Sequence, residues 1–215
     1  MKLDHITVNT QSSIRIEGSQ ILYFDPYLIQ ASRHDADIVF ITHDHYDHFE
    51  PDSILKVRKE STLLVAPESM KKKVLSDSGV SSDKCFFYRP GESHDLENLV
   101  VETIPAYNKL KPFHPKGKKW QGYVVKMDDV RYYVSGDTDV NEDIRKVRCD
   151  VALIPIGGHF TMDKKQAAEY VSDIKPGAVI PTHYGSIVGN KTDGQDFRKR
   201  LEEIDKSISV ALKLG

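Results

Sequence analysis

The segment that most constrains this chain is Thr42-His43-Asp44-His45-Tyr46-Asp47-His48, which packs three of the nine histidines into six positions. It ends the run Asp37–Thr42, whose four consecutive apolar residues leave no solvent face and read as a buried strand. With nine His and 21 Asp in 215 residues, H-x-H-x-D-H arises by chance on the order of once in a thousand such chains. In extended backbone His43 and His45 point the same way, so two imidazoles can converge on one cation. If the chain then turns, Asp47 and His48 face the same cavity and can hold a second. Imidazole and carboxylate suit zinc, iron or manganese, and the lack of thiolates argues against a purely structural zinc. The plain alternative is a polar loop rich in histidine, an odd way to build an ordinary turn.

Two distant segments add to this reading. Tyr133-Val134-Ser135-Gly136-Asp137-Thr138-Asp139 is a strand ending in Gly-Asp, where glycine permits a sharp turn that presents Asp137. Val179-Ile180-Pro181-Thr182-His183-Tyr184-Gly185 is a strand ending in a histidine. Each alone is weak. Together they offer a bridging carboxylate and a late imidazole, both at strand ends.

Composition closes off other classes. Thirty Lys and Arg against 32 Asp and Glu give a net charge of −2, without the basic excess of a nucleic-acid binder. A mean hydropathy of −0.45 and the lack of an apolar run near the ~20 residues of a membrane span argue against an integral membrane protein. The N-terminus Met1-Lys2-Leu3-Asp4-His5 carries charge where an export signal needs apolar residues. Cys85 and Cys149 lack the spacing of a metal or redox pair and read as buried free thiols. The expectation is a cytoplasmic protein of one domain, residues 1–215.

Short strands dominate the pattern: 13–17, 21–24, 37–42, 62–66, 85–88, 99–104, a hairpin of 121–127 with 130–135 turning at Asp128-Asp129, 151–154, 178–180 and 208–212. Helices are expected at 51–60, from Pro67 to near Gly79, after an N-cap at Asp163, and at 195–204. Two stacked sheets with helices outside, an α/β arrangement, accommodate this set.

From THDHYDH through SGDTD to PTHYG, the chain resembles the metallo-β-lactamase superfamily. The segments DPYL, IPAYN, WQGY and IPIGGHFTM are most similar to small metal-dependent hydrolases related to the L-ascorbate-6-phosphate lactonases. The resemblance implies a four-layer αββα sandwich of metallo-β-lactamase type and a site for two divalent cations, zinc first, with manganese or iron as alternatives. His43 and His45 would serve the first cation, Asp47, His48 and His183 the second, and Asp137 both. Many members complete the first site with a histidine after Pro-Ala-aromatic; here that position is Asn108, a poor zinc ligand. His114 is the nearest substitute and His94 another, while a plain loop histidine is the alternative for His114.

Two cations about 3.5–4 Å apart can hold a hydroxide and polarise a carbonyl or phosphoryl oxygen. The expected reaction is therefore metal-assisted hydrolysis of a small anionic ester, lactone or phosphoester, with Asp47 orienting the hydroxide or moving its proton. No G-x-S-x-G or other nucleophile signal competes. Asp25, after the strand 21–24, can fix a ligand histidine from behind. His159, after the strand 151–154, is a candidate for substrate binding, and His5 and His34 are assigned to a strand and a polar loop. Lys109 to Lys119 reads first as a solvated loop and second as a cationic rim for an anionic substrate. Alternatives are a phosphodiesterase of phospholipid or nucleic acid, a non-hydrolytic iron protein, or a degenerate binding module. The expected partner is a small molecule, with no nucleic acid or membrane; homo-oligomerisation is left open.

Overall fold

Alternating burial along the strands sorts their side chains into an inner and an outer set. Leu22, Phe24, Ile38 and Phe40 turn inward to meet Tyr123, Val125 and Leu153 between two sheets. Their neighbours Tyr23, Val39 and Ile41 turn outward, onto Ile54, Val57 and Val74 of two helices. On the opposite side Val124, Tyr133, Ile154 and Val179 pack against Ala168, Val171, Phe197 and Leu201 of two more. Helix, sheet, sheet and helix therefore stack as four layers, each apolar face closed by the next. The computed structural model describes residues 3–214; Met1, Lys2 and Gly215, which include the start of the segment read for an export signal and both ends of the expected domain, lie outside the described residues.

The first sheet runs β1 (Ile6–Val8), β2 (Ile14–Glu17), β3 (Ile21–Phe24), β4 (Ala36–Phe40), β5 (Arg58–Pro67) and β6 (Cys85–Tyr88), in chain order. The second contains β7 (Ser93–Leu96), β8 (Leu99–Pro105), β9 (Gln121–Met127), β10 (Val130–Val134), β11 (Val151–Pro155), β12 (Ala178–Thr182) and β13 (Ser209–Val210), ordered from β13 back to β7. The helices are α1 (Pro51–Val57) and α2 (Lys71–Asp77) on the first sheet, and α3 (Lys164–Ile174) and α4 (Asp193–Ile204) on the second. None of the described helices is long and apolar enough to cross a membrane.

Strand direction places the site. β3 to β6 are mutually parallel, as are β10 to β13, and β8 runs with β10 because both are antiparallel to β9. The loops after β3, β4, β8, β10, β11 and β12 consequently leave along shared edges of the two sheets. Gln121 N–H donates to Thr42 O at 3.3 Å and the Tyr123 hydroxyl to Ile41 O at 2.6 Å, holding those edges together.

Several local expectations change. The helix expected over 51–60 stops at Val57, because Arg58 is extended and pairs with Ala36 as β5 begins. β1 and β7 add to the expected strands. β7 reads Ser-His-Asp-Leu at a sheet edge, with Ser93 and Asp95 exposed and Leu96 buried. His5 sits in the turn before β1, its Nε2 3.0 Å from the Tyr132 hydroxyl. Both cysteines are free but only half-buried: Cys85 opens the edge strand β6, and Cys149 lies in the loop before β11. Asp163 caps α3 through a capping box with Gln166.

Candidate metal centre

The loop after β4 begins with a buried hydrogen-bond relay. Asp25, in a left-handed conformation at the end of β3 (φ 45°), accepts the Thr42 N–H at Oδ1 (2.8 Å) and the Thr42 hydroxyl at Oδ2 (2.6 Å). That hydroxyl has one hydrogen, so at 3.0 Å from His43 Nδ1 it accepts the ring N–H. The lone pair of His43 therefore lies on Nε2. His48 Nδ1 donates to Asp25 Oδ2 at 2.7 Å, turning its Nε2 the same way. Gly136 packs against Thr42 from the second sheet: it has φ +62°, and a Cβ there would stand 3.0 Å from Thr42 Cβ.

Two trios of ligand atoms result. His43 Nε2 lies 3.1 Å from His45 Nδ1, and His114 Nε2 lies 3.2 Å from the same atom. Four-coordinate zinc with Zn–N of 2.0–2.1 Å sets ligand atoms about 3.3 Å apart, so this trio has the span a zinc ion needs. In the second trio Asp47 Oδ2 lies 3.4 Å from His183 Nε2 and 3.6 Å from His48 Nε2.

Asp137, at the end of β10, stands between the trios. Its Oδ2 is 3.2 Å from His183 Nε2, 3.4 Å from His114 Nε2 and 4.0 Å from His43 Nε2; its Oδ1 is 3.4 Å from His48 Nε2. His48 Nε2, His183 Nε2 and Asp137 Oδ1 are buried and make no hydrogen bond. Buried polar atoms rarely go unpaired, and these three face one another across a gap suited to a cation. The donor set is imidazole and carboxylate only, so these residues fit zinc, manganese or iron.

Electrostatics divides the trios. Burial and the neighbouring His48 push His43 well below its ordinary value, and burial lowers His45 as well. Burial and adjacent imidazoles bring His114 to about 4. These three rings are neutral and offer lone pairs. Burial opposes charge on His183 and His48, but Asp137 outweighs it, aided by Asp47 at His183 and Asp25 at His48. His183 rises to about 9 and His48 well above its ordinary range. Asp137 is itself held well below the carboxylate range, because His183 and His48 overcome its desolvation.

Asn108 stands behind His114 rather than in the trio. Its Nδ2 donates to Phe160 O at 2.7 Å, and its N–H donates to His114 O at 2.8 Å. The Nδ1–H of His114 points to the same Phe160 oxygen at 3.2 Å, which leaves its Nε2 facing the cluster. His94 is remote from the cluster, stacked on Tyr88 with ring centroids 3.7 Å apart. His159 is exposed beside Phe113 and Phe160, outside both trios. His34 accepts a left-handed backbone and lies 2.9 Å from Arg58 O in its polar loop.

Three of the five lysines of the 109–119 loop are held by carboxylates, and Lys118 Nζ lies 5.3 Å from the Trp120 ring centroid. Lys111 pairs with Asp139 at 2.5 Å and bonds Thr161 O, Lys109 pairs with Glu142, and Lys116 approaches Asp143 at 3.7 Å. Sequence reasoning passed over Thr42 and Trp120. The Trp120 ring lies 5.0, 4.9 and 5.6 Å from the rings of His43, His45 and His114, walling the first trio. The signals were a hydroxyl directly before H-x-H-x-D-H and the chain's single tryptophan.

A cavity of about 240 Å³ opens onto the cluster, touching His45, Asp47, His114, Asp137 and His183. Larger cavities of about 310 and 440 Å³ lie beside Arg15 and Arg131 respectively, and neither reaches the cluster.

Residues 5–183 match the beta-lactamase superfamily domain. A UPF0173 metal-dependent hydrolase of Pyrococcus horikoshii is 32% identical over 218 residues, covering 93% of this chain and 92% of its own. Another, of Methanosphaerula palustris, is 32% identical over 212 residues, covering 94% and 93%. The crystal structure of a Parabacteroides distasonis protein superposes with TM-score 0.82 at 26% identity, covering 98% of this chain and 93% of that one. CmlA, a diiron β-hydroxylase of Streptomyces venezuelae, shares the fold alone: TM-score 0.73 at 13% identity, covering 97% of this chain and 52% of that one.

Proposed function

The chain belongs to the beta-lactamase superfamily and is a metal-dependent hydrolase, and from that premise we propose that it works through a dinuclear centre. His43, His45 and His114 would hold one cation and Asp47, His48 and His183 the other, with Asp137 shared. One observation carries this reading: the Asp137 carboxylate lies within 3.2–4.0 Å of imidazole nitrogens from four histidines. Cations in such a site acidify water and polarise a carbonyl or phosphoryl oxygen, so no protein nucleophile is needed.

This chain's own residues then have defined tasks. Asp25 and Thr42 hold His48 and His43 in the tautomers that aim Nε2 inward. Burial raises Asp47, but His183 and His48 outweigh it and keep the carboxylate ionised. Asp47 also lines the cavity; with Oδ2 turned to the second trio, its other carboxylate oxygen can orient the attacking water and accept its proton. Trp120 excludes water from behind the first trio.

Zinc is the cation we favour, since the set lacks thiolates and resembles catalytic rather than structural zinc sites. The two free cysteines support a reducing, cytoplasmic setting. We take the whole stretch 1–215 as one hydrolase domain. The substrate is a small ester, lactone, amide or phosphoester; the pairing of Lys109, Lys111 and Lys116 with carboxylates weakens the case for the anionic character expected from the lysine loop.

Metal analysis with a hydrolysis panel tests the proposal. Two equivalents of zinc or manganese and turnover of at least one ester, lactone or phosphodiester are expected, and Asp137→Ala should lose both. Unchanged metal content in Asp137→Ala would remove the shared carboxylate from the scheme, and bound iron with a visible chromophore would favour the non-hydrolytic alternative.

A further inference from the structure

We infer that the substrate cut here is small and uncharged, with a flat or branched apolar group seated against Tyr46, Phe113, Phe160 and Ile187. The inference rests on the hydrolase reading above and concerns what that site selects.

These four side chains line the same cavity as Asp47, Asp137 and His183. They arrive from separate loops, after β4, β8, β11 and β12. Tyr46 is 65% exposed, Ile187 39% and Phe113 37%, so large apolar surfaces stand in water where substrate must enter. Their shape is supported: Phe113 meets Phe160 edge to face at 4.7 Å, and Tyr46 meets Tyr27 at 6.1 Å.

Charge argues in the same direction. Among the described residues no lysine or arginine lines the cavity, and Lys109 and Lys111 of the adjoining loop are already paired with Glu142 and Asp139. The carboxylates and imidazoles on its wall are committed to the centre, so none of them is left to pair with a charged substituent at the distal end of a substrate. A carboxylate or phosphate on the distal part of a substrate would find no counter-ion at the mouth, whereas an apolar group would find a wall. At about 240 Å³ the cavity is smaller than the roughly 300–1,000 Å³ that drug-sized ligands occupy, which limits that group to about one ring or a short branched chain.

The test uses the zinc-loaded protein and two matched zinc-directed thiols, phenylmethanethiol and 4-(sulfanylmethyl)benzoate, which differ by one carboxylate. Binding is followed by the fluorescence of Trp120, the chain's single tryptophan, which packs against the cluster. The neutral thiol should bind about tenfold tighter or more. Phe113→Ala and Ile187→Ala should each shrink that preference severalfold with zinc content unchanged. Equal affinities, tighter binding of the carboxylate, or a preference indifferent to both substitutions would overturn the inference while leaving the hydrolase reading intact. Failure to take up zinc, or zinc without turnover of any panel substrate, would instead strike the hydrolase reading, and the inference would fall with it.

Discussion

Asp25 Oδ2 lies 2.7 Å from His48 Nδ1, with both side chains fully shielded from solvent, and the same oxygen accepts the Thr42 hydroxyl. One carboxylate thus orients two histidines, His48 directly and His43 through Thr42. In Asp25→Asn, an amide must replace an anion that accepts two bonds at one oxygen. Metal affinity should fall about 10–100-fold, as for other groups that hold metal ligands from behind. Competition with a chromophoric chelator measures it, and wild-type affinity would show that the relay is dispensable.

Metal loading near pH 7.5 should release protons. His183 is raised to about 9 and His48 is also raised, so both are charged in the metal-free protein, and a ligand nitrogen must lose its proton. Calorimetric titration in buffers of different ionisation enthalpy should give a release of about two protons per protein. The same shifts predict stability. A folded value above the unfolded one contributes stability that is full below about pH 6.5 and disappears as pH rises through about 9. Metal-free protein should therefore weaken to denaturant between those limits, and a flat profile would contradict the assignment.

Gly136→Ala should destabilise. The left-handed backbone costs a non-glycine residue about 1–2 kcal/mol, and the new methyl would meet Thr42 Cβ at 3.0 Å. A fall in Tm of roughly 2–8 °C is expected for a chain of this size. Because the pressure lands on Thr42, metal affinity should drop as well. Calorimetry and chelator competition on one sample read both, and a change in Tm alone would confine Gly136 to a structural role.

Asn108→Ala should weaken one cation more than the other. Its amide shares the Phe160 carbonyl with His114, so losing it loosens the ring that faces His45. Metal content after dialysis against buffered low free zinc that keeps the wild type at two equivalents should fall toward one, with overall fold retained by circular dichroism. An unchanged second equivalent would mean that the backbone bond from Asn108 N–H to His114 O suffices.

Legibility in the sequence followed the range of the forces involved. The hairpin of β9 and β10 was readable because apolar alternation breaks at Asp128-Asp129, and both aspartates adopt the positive φ that tight hairpins require (51° and 61°). β3 was readable from its continuous apolar run, and H-x-H-x-D-H announced itself by spacing. Arg58–Glu60 looked like helix surface because polar residues there satisfy either structure; only pairing with β4 decides. The gathering of Tyr46, Phe113, Phe160 and Ile187 left no trace, since four loops distant in sequence meet only after the sheets stack. Asn108 was visible as an oddity but not as a prop for His114, which depends on a carbonyl 52 residues away.

His43, His45, Asp47 and His48 come from the loop that leaves the first sheet, while His114, Asp137 and His183 come from loops that leave the second. Neither sheet carries a complete coordination set, so an ion in this position acts as a clasp fastening one half of the molecule to the other. Separately expressed halves should each bind zinc far more weakly than the whole chain, and the ion itself should favour their reassembly.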